Sequence, residues 1–326
     1  MYLLSSMKIG LRIKVIFKFF GEENMNIRIL LMSFILFIFV VPNKSYSETI
    51  GVISLHAKWS MPSRHVGYYK EIKKMAFFEK KFRSKCGRGP WVCHDDNTIV
   101  RNKNADLHLV DFAIHDAGML IESPHCAWSK IRKYDLKVDE ALKQCVMPRI
   151  ERLKRRGAKK IVVLGKSLGA NMAIRAGVIF DGLSGIIAMA PGHVPAYNEW
   201  FRDKLAGSVS EAKSAVSNGK GKVPIGLQDI NQGTFKTLKV KPENYLSFFS
   251  PDGKAVMINN TAKLPKDLPF LWIVGSSDKI TEDGLGPKIF AKAPKNLKSK
   301  YIEVQGGHRD VGENGSEKII AWLKGL

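Results

Sequence analysis

An apolar strand that runs directly into a helix, at residues 159–177, constrains the fold of this chain more than any other feature. The strand KKIVVLG is apolar without alternation from Ile161 to Leu164, which is typical of a central parallel strand covered on both faces. The helical stretch SLGANMAIRAGVIF follows from Ser167. Further strand-like runs alternate with helical ones, at residues 49–55, 118–123, 183–191, 268–275 and 300–306. This alternation predicts an α/β fold with a mostly parallel central sheet and helices on both faces.

Two segments interrupt the alternation. Residues 79–115 are predicted to form an insertion before the strand at 118–123. Residues 192–265 are long enough for a helical excursion over the C-terminal edge of the sheet, where such segments commonly shape a pocket. We therefore expect one α/β domain over residues 48–326, with both segments as additions to it.

The N-terminal residues 1–47 have the pattern of an export signal. Met25 and Arg28 precede a thirteen-residue run, 29–41, that is apolar except for Ser33, and Ser45 and Ser47 are the small residues expected before a cleavage site. The pattern predicts a signal peptide at about Met25 to Ser47 and a periplasmic or secreted protein. The alternative is an uncleaved membrane anchor, but thirteen helical residues at about 1.5 Å each fall short of a hydrocarbon core about 30 Å thick.

The predicted exported part contains four cysteines, which indicates two disulfides, and three pairings are open. We favour Cys86 with Cys93, across the short loop CGRGPWVC, and Cys126 with Cys145, which would tie a loop to the helix after it. A zinc site is not expected, because the sequence has no Cys-x-x-Cys pair.

The formal charge of +22 raises the question of a nucleic-acid partner. Residues 1–47 contain six Lys/Arg and two Glu, so the remaining part keeps +18. Its lysines and arginines are spread along the chain without a basic stripe interleaved with aromatic residues, so we expect no specific nucleic-acid binding. The charge favours solvated faces with weak attraction to an anionic membrane or envelope surface. The sequence leaves the oligomeric state open.

The junction between the central strand and its helix matches the nucleophile-elbow motif G-x-S-x-G, formed by Gly165, Ser167 and Gly169. Such a turn forces its serine into a strained conformation, and the small residues on each side let strand and helix pass closely. It holds the hydroxyl above the sheet near the positive N-terminus of the helix, where developing negative charge is favoured. Three fixed positions alone are weak evidence, so the partners of Ser167 matter.

Two further residues supply the partners that a serine nucleophile needs. A base must take the hydroxyl proton, and an acid must hold the tautomer of that base. Asp278 follows the strand at 268–275, and His308 follows the strand at 300–306. The order Ser167, Asp278, His308 is the order of the α/β-hydrolase triad, and each residue lies at the C-terminal end of a predicted strand.

From about Thr49 onward the chain resembles the α/β-hydrolase superfamily of serine hydrolases. Two turns resemble those of exported members, LHAKWS at 55–60 for a His-Gly-Lys-Trp turn and APGHVP at 190–195 for an Ala-Pro-Gly-His turn. The resemblance implies that the backbone N–H groups of Leu168 and of Lys58, or alternatively of Ala57, form the oxyanion hole. Ala57 departs from the glycine of the family turn, and alanine narrows the accessible backbone geometry.

The resemblance also suggests residues that line a substrate pocket, namely His56, Trp128 and His193. For Trp128, packing under the loop at 122–135 is an equally strong alternative. His193 is a rival to His308 as the base, since it also follows a strand, but the chain-order rule selects His308. The prediction is a secreted or periplasmic serine hydrolase that acts without a cofactor or metal on a small-molecule ester or related acyl substrate. The alternative is a catalytically silent α/β-hydrolase fold that serves as an envelope binding protein.

Overall fold

The structure, a computed structural model, describes residues 49–60, 91–93, 99–101, 106–196 and 199–326. The predicted signal peptide and Cys86 lie outside the described residues, as does the side chain of Cys93. Within the described part, no helix is both long enough and apolar enough to span a bilayer.

The described residues form ten strands and nine helices. The strands are β1 (Ile50–Leu55), β2 (Trp91–Cys93), β3 (Ile99–Arg101), β4 (Leu120–Glu122), β5 (Lys160–Lys166), β6 (Gly185–Met189), β7 (Ile225–Asn231), β8 (Thr234–Val240), β9 (Phe270–Gly275) and β10 (Lys300–Val304). The helices are α1 (Asp106–Asp116), α2 (Val138–Arg155), α3 (Leu168–Ile179), α4 (Glu199–Ser217), α5 (Pro242–Phe249), α6 (Met257–Thr261), α7 (Lys279–Glu282), α8 (Leu285–Phe290) and α9 (Val311–Lys324).

Six strands form one parallel sheet in the order β10-β9-β6-β5-β1-β4, which agrees with the predicted central sheet. Strands β1 and β5 pair over their full length, from Ile50 opposite Lys160 to Leu55 opposite Gly165. The chain places β4 on one side of β1 and the later strands on the other, so the strand order reverses at this pair. Open α/β sheets commonly bind ligands at the carboxyl ends of the strands beside such a reversal.

The core lies on both faces of this sheet, because alternate residues of each buried strand point to opposite faces. Ile161 and Val163 belong to one cluster, with apolar residues of α2 and α3. Val162 and Leu164 belong to the other, with apolar residues of α1 and α9. Burial on both faces explains why β5 is apolar without alternation.

The two additions differ from a simple insertion and a purely helical excursion. The segment predicted as an insertion, 79–115, runs into α1, whose Val110 and Ile114 are part of the core. The excursion, residues 192–265, contains helices α4, α5 and α6, but also the antiparallel β7–β8 hairpin, which the sequence reading missed. The tip of this hairpin, Gln232–Gly233, has positive φ at both residues, which is the geometry of a tight hairpin turn.

The disulfide between Cys126 and Cys145 is present, with 5.4 Å between the Cα atoms. It joins the loop after β4 to the middle of α2, as predicted. The other predicted pair, Cys86 with Cys93, cannot be placed, since Cys86 is not among the described residues.

Candidate active site

Ser167 lies between β5 and α3 in a backbone conformation, φ 56° and ψ −120°, that few residues other than glycine adopt. A Cβ at Gly165 would lie 1.9 Å from the carbonyl oxygen of Gly169. A Cβ at Gly169 would lie 2.3 Å from the carbonyl oxygen of Leu55. Both predicted elbow glycines are therefore needed for strand and helix to pass each other. The N–H of Ser167 donates to the carbonyl of Met189 at 3.0 Å, which fixes the elbow to β6.

Asp278 and His308 meet beside the neighbouring strands. His308 Nδ1 lies 2.7 Å from Asp278 Oδ2, and the other carboxylate oxygen accepts the N–H of Ile280 at the start of α7. The loops that carry them approach closely, since a Cβ at Gly275 would lie 2.3 Å from the carbonyl oxygen of Gly306. Because a carboxylate only accepts hydrogen bonds, Nδ1 is the donor in this contact, and Nε2 is the ring nitrogen left to face the serine.

The imidazole and the serine hydroxyl face the same small volume beside Gly192. A Cβ at this glycine would lie 3.5 Å from Ser167 Oγ and 3.6 Å from His308 Nε2. The three residues predicted as a triad therefore converge at the C-terminal edge of the sheet. A hydroxyl, an imidazole and a buried carboxylate thus lie together at this edge, and these are the residue types that a serine-based proton relay needs.

The turn after β1, residues 56–60, lies next to the elbow and is called the β1 turn below. The β1 end passes against α3, since a Cβ at Gly169 would also lie 2.7 Å from the carbonyl oxygen of His56. Lys58 and Leu168 border the same cavity as Ser167. The N–H of Leu168 is the first of α3, and an N–H in a first helical turn has no acceptor within its own helix.

Ala57 does not strain this turn. The residue of the turn with positive φ is Trp59, at 56°, and Ala57 lies outside the left-handed region that favours glycine. The alanine at this position therefore adds no positive-φ strain to the turn that precedes the Lys58 N–H.

A second loop, residues 124–134, holds the β1 turn and contains Cys126, so we call it the disulfide loop. The N–H of Cys126 donates to His56 Nε2 at 3.2 Å, and Trp128 Nε1 donates to the carbonyl of His56 at 2.8 Å. The N–H of Trp59 donates to the carbonyl of Trp128 at 3.3 Å, and the N–H of Lys130 donates to that of Ser60 at 3.3 Å. Four hydrogen bonds thus fix one loop to the other.

His56 and Trp128 were suggested as pocket residues, but both are buried outside the lining of the cavity. Burial lowers the pKa of His56 to about 4, against a smaller opposing effect of its contact with the Ala57 carbonyl. The neutral ring donates from Nδ1 to that carbonyl at 2.9 Å and accepts at Nε2 from Cys126. Both side chains therefore support the β1 turn. This role could be recognised only from their burial in the folded protein, not from the sequence.

His193, the third suggested pocket residue and the rival base, does line the cavity. Its Nε2 donates to the carbonyl of Phe248 at 2.6 Å, and its Nδ1 has no hydrogen-bond partner among the described residues. Burial, and then the charge of Lys58, hold the pKa of His193 well below its ordinary value. Among the described residues His308 has a carboxylate partner, Asp278, and His193 has none, so only His308 has the contact expected of the predicted base.

The cavity above Ser167 has a volume of about 630 Å³. Apolar side chains from the excursion and from α7 and α8 line much of it: Val194, Trp200, Phe201, Ile230, Ile280 and Leu285. The tip of the β7–β8 hairpin forms part of its rim, and Gln232 accepts hydrogen bonds from Arg309, the residue after the predicted base. The volume lies within the usual range for small-molecule sites, about 300–1,000 Å³.

The side chain of Lys58 makes contacts that the sequence reading missed. Its Nζ lies 2.7 Å from Asp229 Oδ1 and 3.0 Å from the carbonyl oxygen of Ile230, both on the β7–β8 hairpin. The other oxygen of Asp229 accepts the hydroxyl of Tyr134 at 2.8 Å. These partners are separated from Lys58 by more than 70 residues of chain, so no local pattern signals them.

Lys166, beside the nucleophile, is buried and is not part of the cavity lining. It follows Val162 and Leu164 at alternate positions of β5, which places its side chain on the face covered by α1 and α9. Burial and, secondarily, the charge of Lys166 lower the pKa of His108 on α1. A direct role of Lys166 in binding an anionic substrate is therefore not supported.

No protein-family model matches the chain, and no curated protein matches it either. Solved structures do. A structure described for LipS and LipT, two metagenome-derived lipolytic enzymes, is 10% identical over 86% of this chain and 95% of that one, with a TM-score of 0.51. The Pyrococcus furiosus esterase Pf2001 is 15% identical over 86% and 83% of the two chains, with a TM-score of 0.49. Est1E from Butyrivibrio proteoclasticus, solved with ferulic acid, is 12% identical over 87% and 90%, with a TM-score of 0.48.

At these identities a structural likeness bears on the fold alone. The sheet order, the strained elbow between β5 and α3, and the likeness to the lipolytic enzymes agree with one another. The chain has the α/β-hydrolase fold.

Proposed function

We propose that this protein is a serine hydrolase that cleaves an ester or related acyl bond through a covalent acyl-enzyme. The observation that carries the proposal is the alignment of Asp278, His308 and Ser167. The carboxylate is 2.7 Å from the imidazole, whose other nitrogen faces the strained serine across Gly192. This arrangement activates a hydroxyl at neutral pH without a metal or cofactor.

In the first half-reaction Ser167 Oγ attacks the acyl carbon while His308 Nε2 takes the hydroxyl proton. Asp278 keeps the proton on Nδ1 and stabilises the imidazolium that forms. The backbone N–H groups of Leu168 and Lys58 hold the oxyanion of the tetrahedral intermediate. The bond to the leaving group then breaks, and His308 returns the proton to the departing alcohol.

In the second half-reaction water attacks the acyl-enzyme, and His308 takes a proton from that water. Collapse of the second tetrahedral intermediate releases the carboxylic acid, and the proton returns to Ser167 Oγ. The net change is hydrolysis of one ester to an acid and an alcohol, and the enzyme is unchanged.

The cavity supports a small or medium acyl substrate. Its volume of about 630 Å³ has room for a drug-sized molecule, and apolar side chains such as Phe201, Ile230 and Leu285 favour an apolar acyl chain or aromatic group. Enzymes that hydrolyse peptides, thioesters and lactones use the same type of site. The bond that this protein cleaves is therefore to be identified by assay.

We also propose that the protein acts in the periplasm or outside the cell. The signal-like segment at Met25–Ser47 supports this, as does the Cys126–Cys145 disulfide, since disulfides persist in oxidising compartments. The formal charge of +18 on residues 48–326, which is the total of +22 less the +4 of residues 1–47, would add a weak attraction to anionic envelope surfaces.

Labelling of the purified protein with a fluorophosphonate probe tests the nucleophile, and a panel of acyl esters, thioesters and amides tests the reaction. We expect labelling and turnover in the wild type and in Ser217→Ala, an exposed serine on α4, and loss of both in Ser167→Ala. Labelling that survives Ser167→Ala would contradict the mechanism. A folded protein that binds esters but neither labels nor turns over would instead favour the binding protein.

A further inference from the structure

The β7–β8 hairpin carries a carboxylate into the interior beside the proposed oxyanion hole. Asp229 is fully buried, and both of its oxygens are used. Oδ1 accepts from Lys58 Nζ at 2.7 Å and from the N–H of Ile230 at 2.7 Å, whereas Oδ2 accepts from the hydroxyl of Tyr134 at 2.8 Å. The carboxylate therefore links the β1 turn, the hairpin and the disulfide loop.

Lys58 is held on several sides. Besides Asp229, its Nζ donates to the carbonyl of Ile230 at 3.0 Å, and it lies 5.3 Å and 5.0 Å from the ring centroids of Phe201 and Phe249. Burial lowers the pKa of Lys58, and the charge of Asp229 opposes this effect. A buried ion pair is seldom a net source of stability, because removing both charges from water costs several kcal/mol per ion. Packing alone does not explain why this position has a lysine.

The backbone of Lys58 gives a better explanation. The same residue offers the N–H proposed for the oxyanion hole, and its side chain is anchored at the far end by the hairpin. We propose that Asp229 is a positioning residue, which through Lys58 Nζ keeps the Lys58 N–H aimed at the oxygen that becomes negative beside Ser167. This inference rests on the proposed function and adds to it a residue from the excursion.

A misplaced oxyanion donor lowers kcat more than it raises KM, because the donor acts chiefly on the transition state. Loss of one such donor costs about 10²–10³ in kcat, and a displaced one less. We expect Asp229→Asn to lower kcat by about tenfold or more while KM changes less than about threefold. Lys58→Met keeps its own N–H but loses the anchor, so the same loss is expected.

The double variant separates coupling from two independent defects. If Asp229 acts only through Lys58, Lys58→Met with Asp229→Asn together should be no slower than the slower single variant. Tyr134→Phe, which removes one of the hydrogen bonds to Asp229, should lower kcat in the same direction by less, and it serves if Asp229→Asn does not fold.

Asp139→Asn is the matched control. Asp139 lies 2.7 Å from Arg175 in an ion pair between α2 and α3, outside the cavity lining, so its loss should affect stability without changing kcat. Amide hydrogen exchange gives a readout that does not depend on turnover. The peptide that contains Lys58 should exchange faster in Asp229→Asn than in Asp139→Asn, also when both are made in the Ser167→Ala protein.

The outcomes distinguish this proposal from the proposed function. If the wild type hydrolyses esters and Ser167→Ala does not, but Asp229→Asn has the kcat of Asp139→Asn, the positioning role is overturned and the function stands. Unchanged exchange of the Lys58 peptide would overturn it in the same way. A wild type that hydrolyses no member of the panel would overturn the function and, with it, this role.

Discussion

Removing the Cys126–Cys145 disulfide should both destabilise the protein and impair the candidate site. The two cysteines are 19 residues apart in sequence, and in the chain-entropy account a loop of that length contributes about 3 kcal/mol to the free energy of unfolding. For a protein of this size that corresponds to a fall in Tm of roughly 6 °C.

The effect on activity follows from the loop that carries Cys126. The N–H of Cys126 donates a hydrogen bond to His56 Nε2, and the Trp128 indole donates one to the carbonyl of His56. Greater mobility of the disulfide loop would therefore be passed on to the β1 turn. We expect a lower kcat with little change in KM, as for displacement of the oxyanion donor proposed at Lys58.

Guanidinium unfolding of Cys126→Ala, Cys145→Ala and the double variant, without reductant, measures the effect. Either single substitution breaks the bond completely, so all three proteins should lose about the same free energy of unfolding. If the single losses add up in the double variant, packing of the two side chains is responsible and not the cross-link. A loss below about 1 kcal/mol in the double variant would refute the reasoning outright.

Three further predictions concern single contacts. In Gly192→Ala the new Cβ would lie 2.9 Å from His308 Cε1, so the imidazole must shift. We therefore expect kcat to fall by about tenfold or more at an unchanged Tm. An unchanged kcat would contradict the convergence of Ser167 and His308 at this glycine. Burial lowers the pKa of His56 to about 4 in the folded protein, from about 6.5 in the unfolded chain, so the contribution of this residue to the free energy of unfolding should be complete above about pH 6.5 and fall towards pH 4. His56→Gln should flatten the dependence of the free energy of unfolding on pH between these values. An equal slope in both proteins would contradict this prediction. Trp128→Phe leaves the buried carbonyl of His56 without the indole donor and should cost about 1–3 kcal/mol in denaturant unfolding, whereas a loss below about 0.5 kcal/mol would mean that the bond contributes little.

The central part of the fold was predictable because its signals are local. β5, the elbow and α3 are contiguous in sequence, and the apolar run and the two glycines follow from burial on both faces and from close passage of the chain. Asp278 and His308 are distant from Ser167 in sequence, yet both follow strands of one parallel sheet. The C-terminal ends of such strands lie along one edge of the sheet, so the order of the residues in the chain was enough to predict that they lie close together.

The supporting contacts were not predictable, because they depend on how separate loops pack. Asp229 is 171 residues from Lys58, and no local pattern indicates that the two side chains meet. The hairpin itself has a local signal, the β-branched and aromatic run TFKTLKV after a turn that contains Gly233, which the sequence analysis did not use. His56 and Trp128 have the same residue types that line pockets, and only their burial and hydrogen bonds show that they hold a turn.

The β7–β8 hairpin also bears on how this scaffold could be changed by engineering. A segment such as the excursion is an attractive unit to exchange, since it shapes the cavity while Ser167, Asp278 and His308 lie at the edge of the central sheet. Here the hairpin also carries Asp229, whose partner Lys58 belongs to the sheet domain. A transplanted excursion without a carboxylate at position 229 would leave the buried ammonium group of Lys58, just after the end of β1, without its partner. The excursion and the β1 turn must therefore be kept or exchanged together. Substitutions meant to change the substrate range should retain the Lys58–Asp229 ion pair.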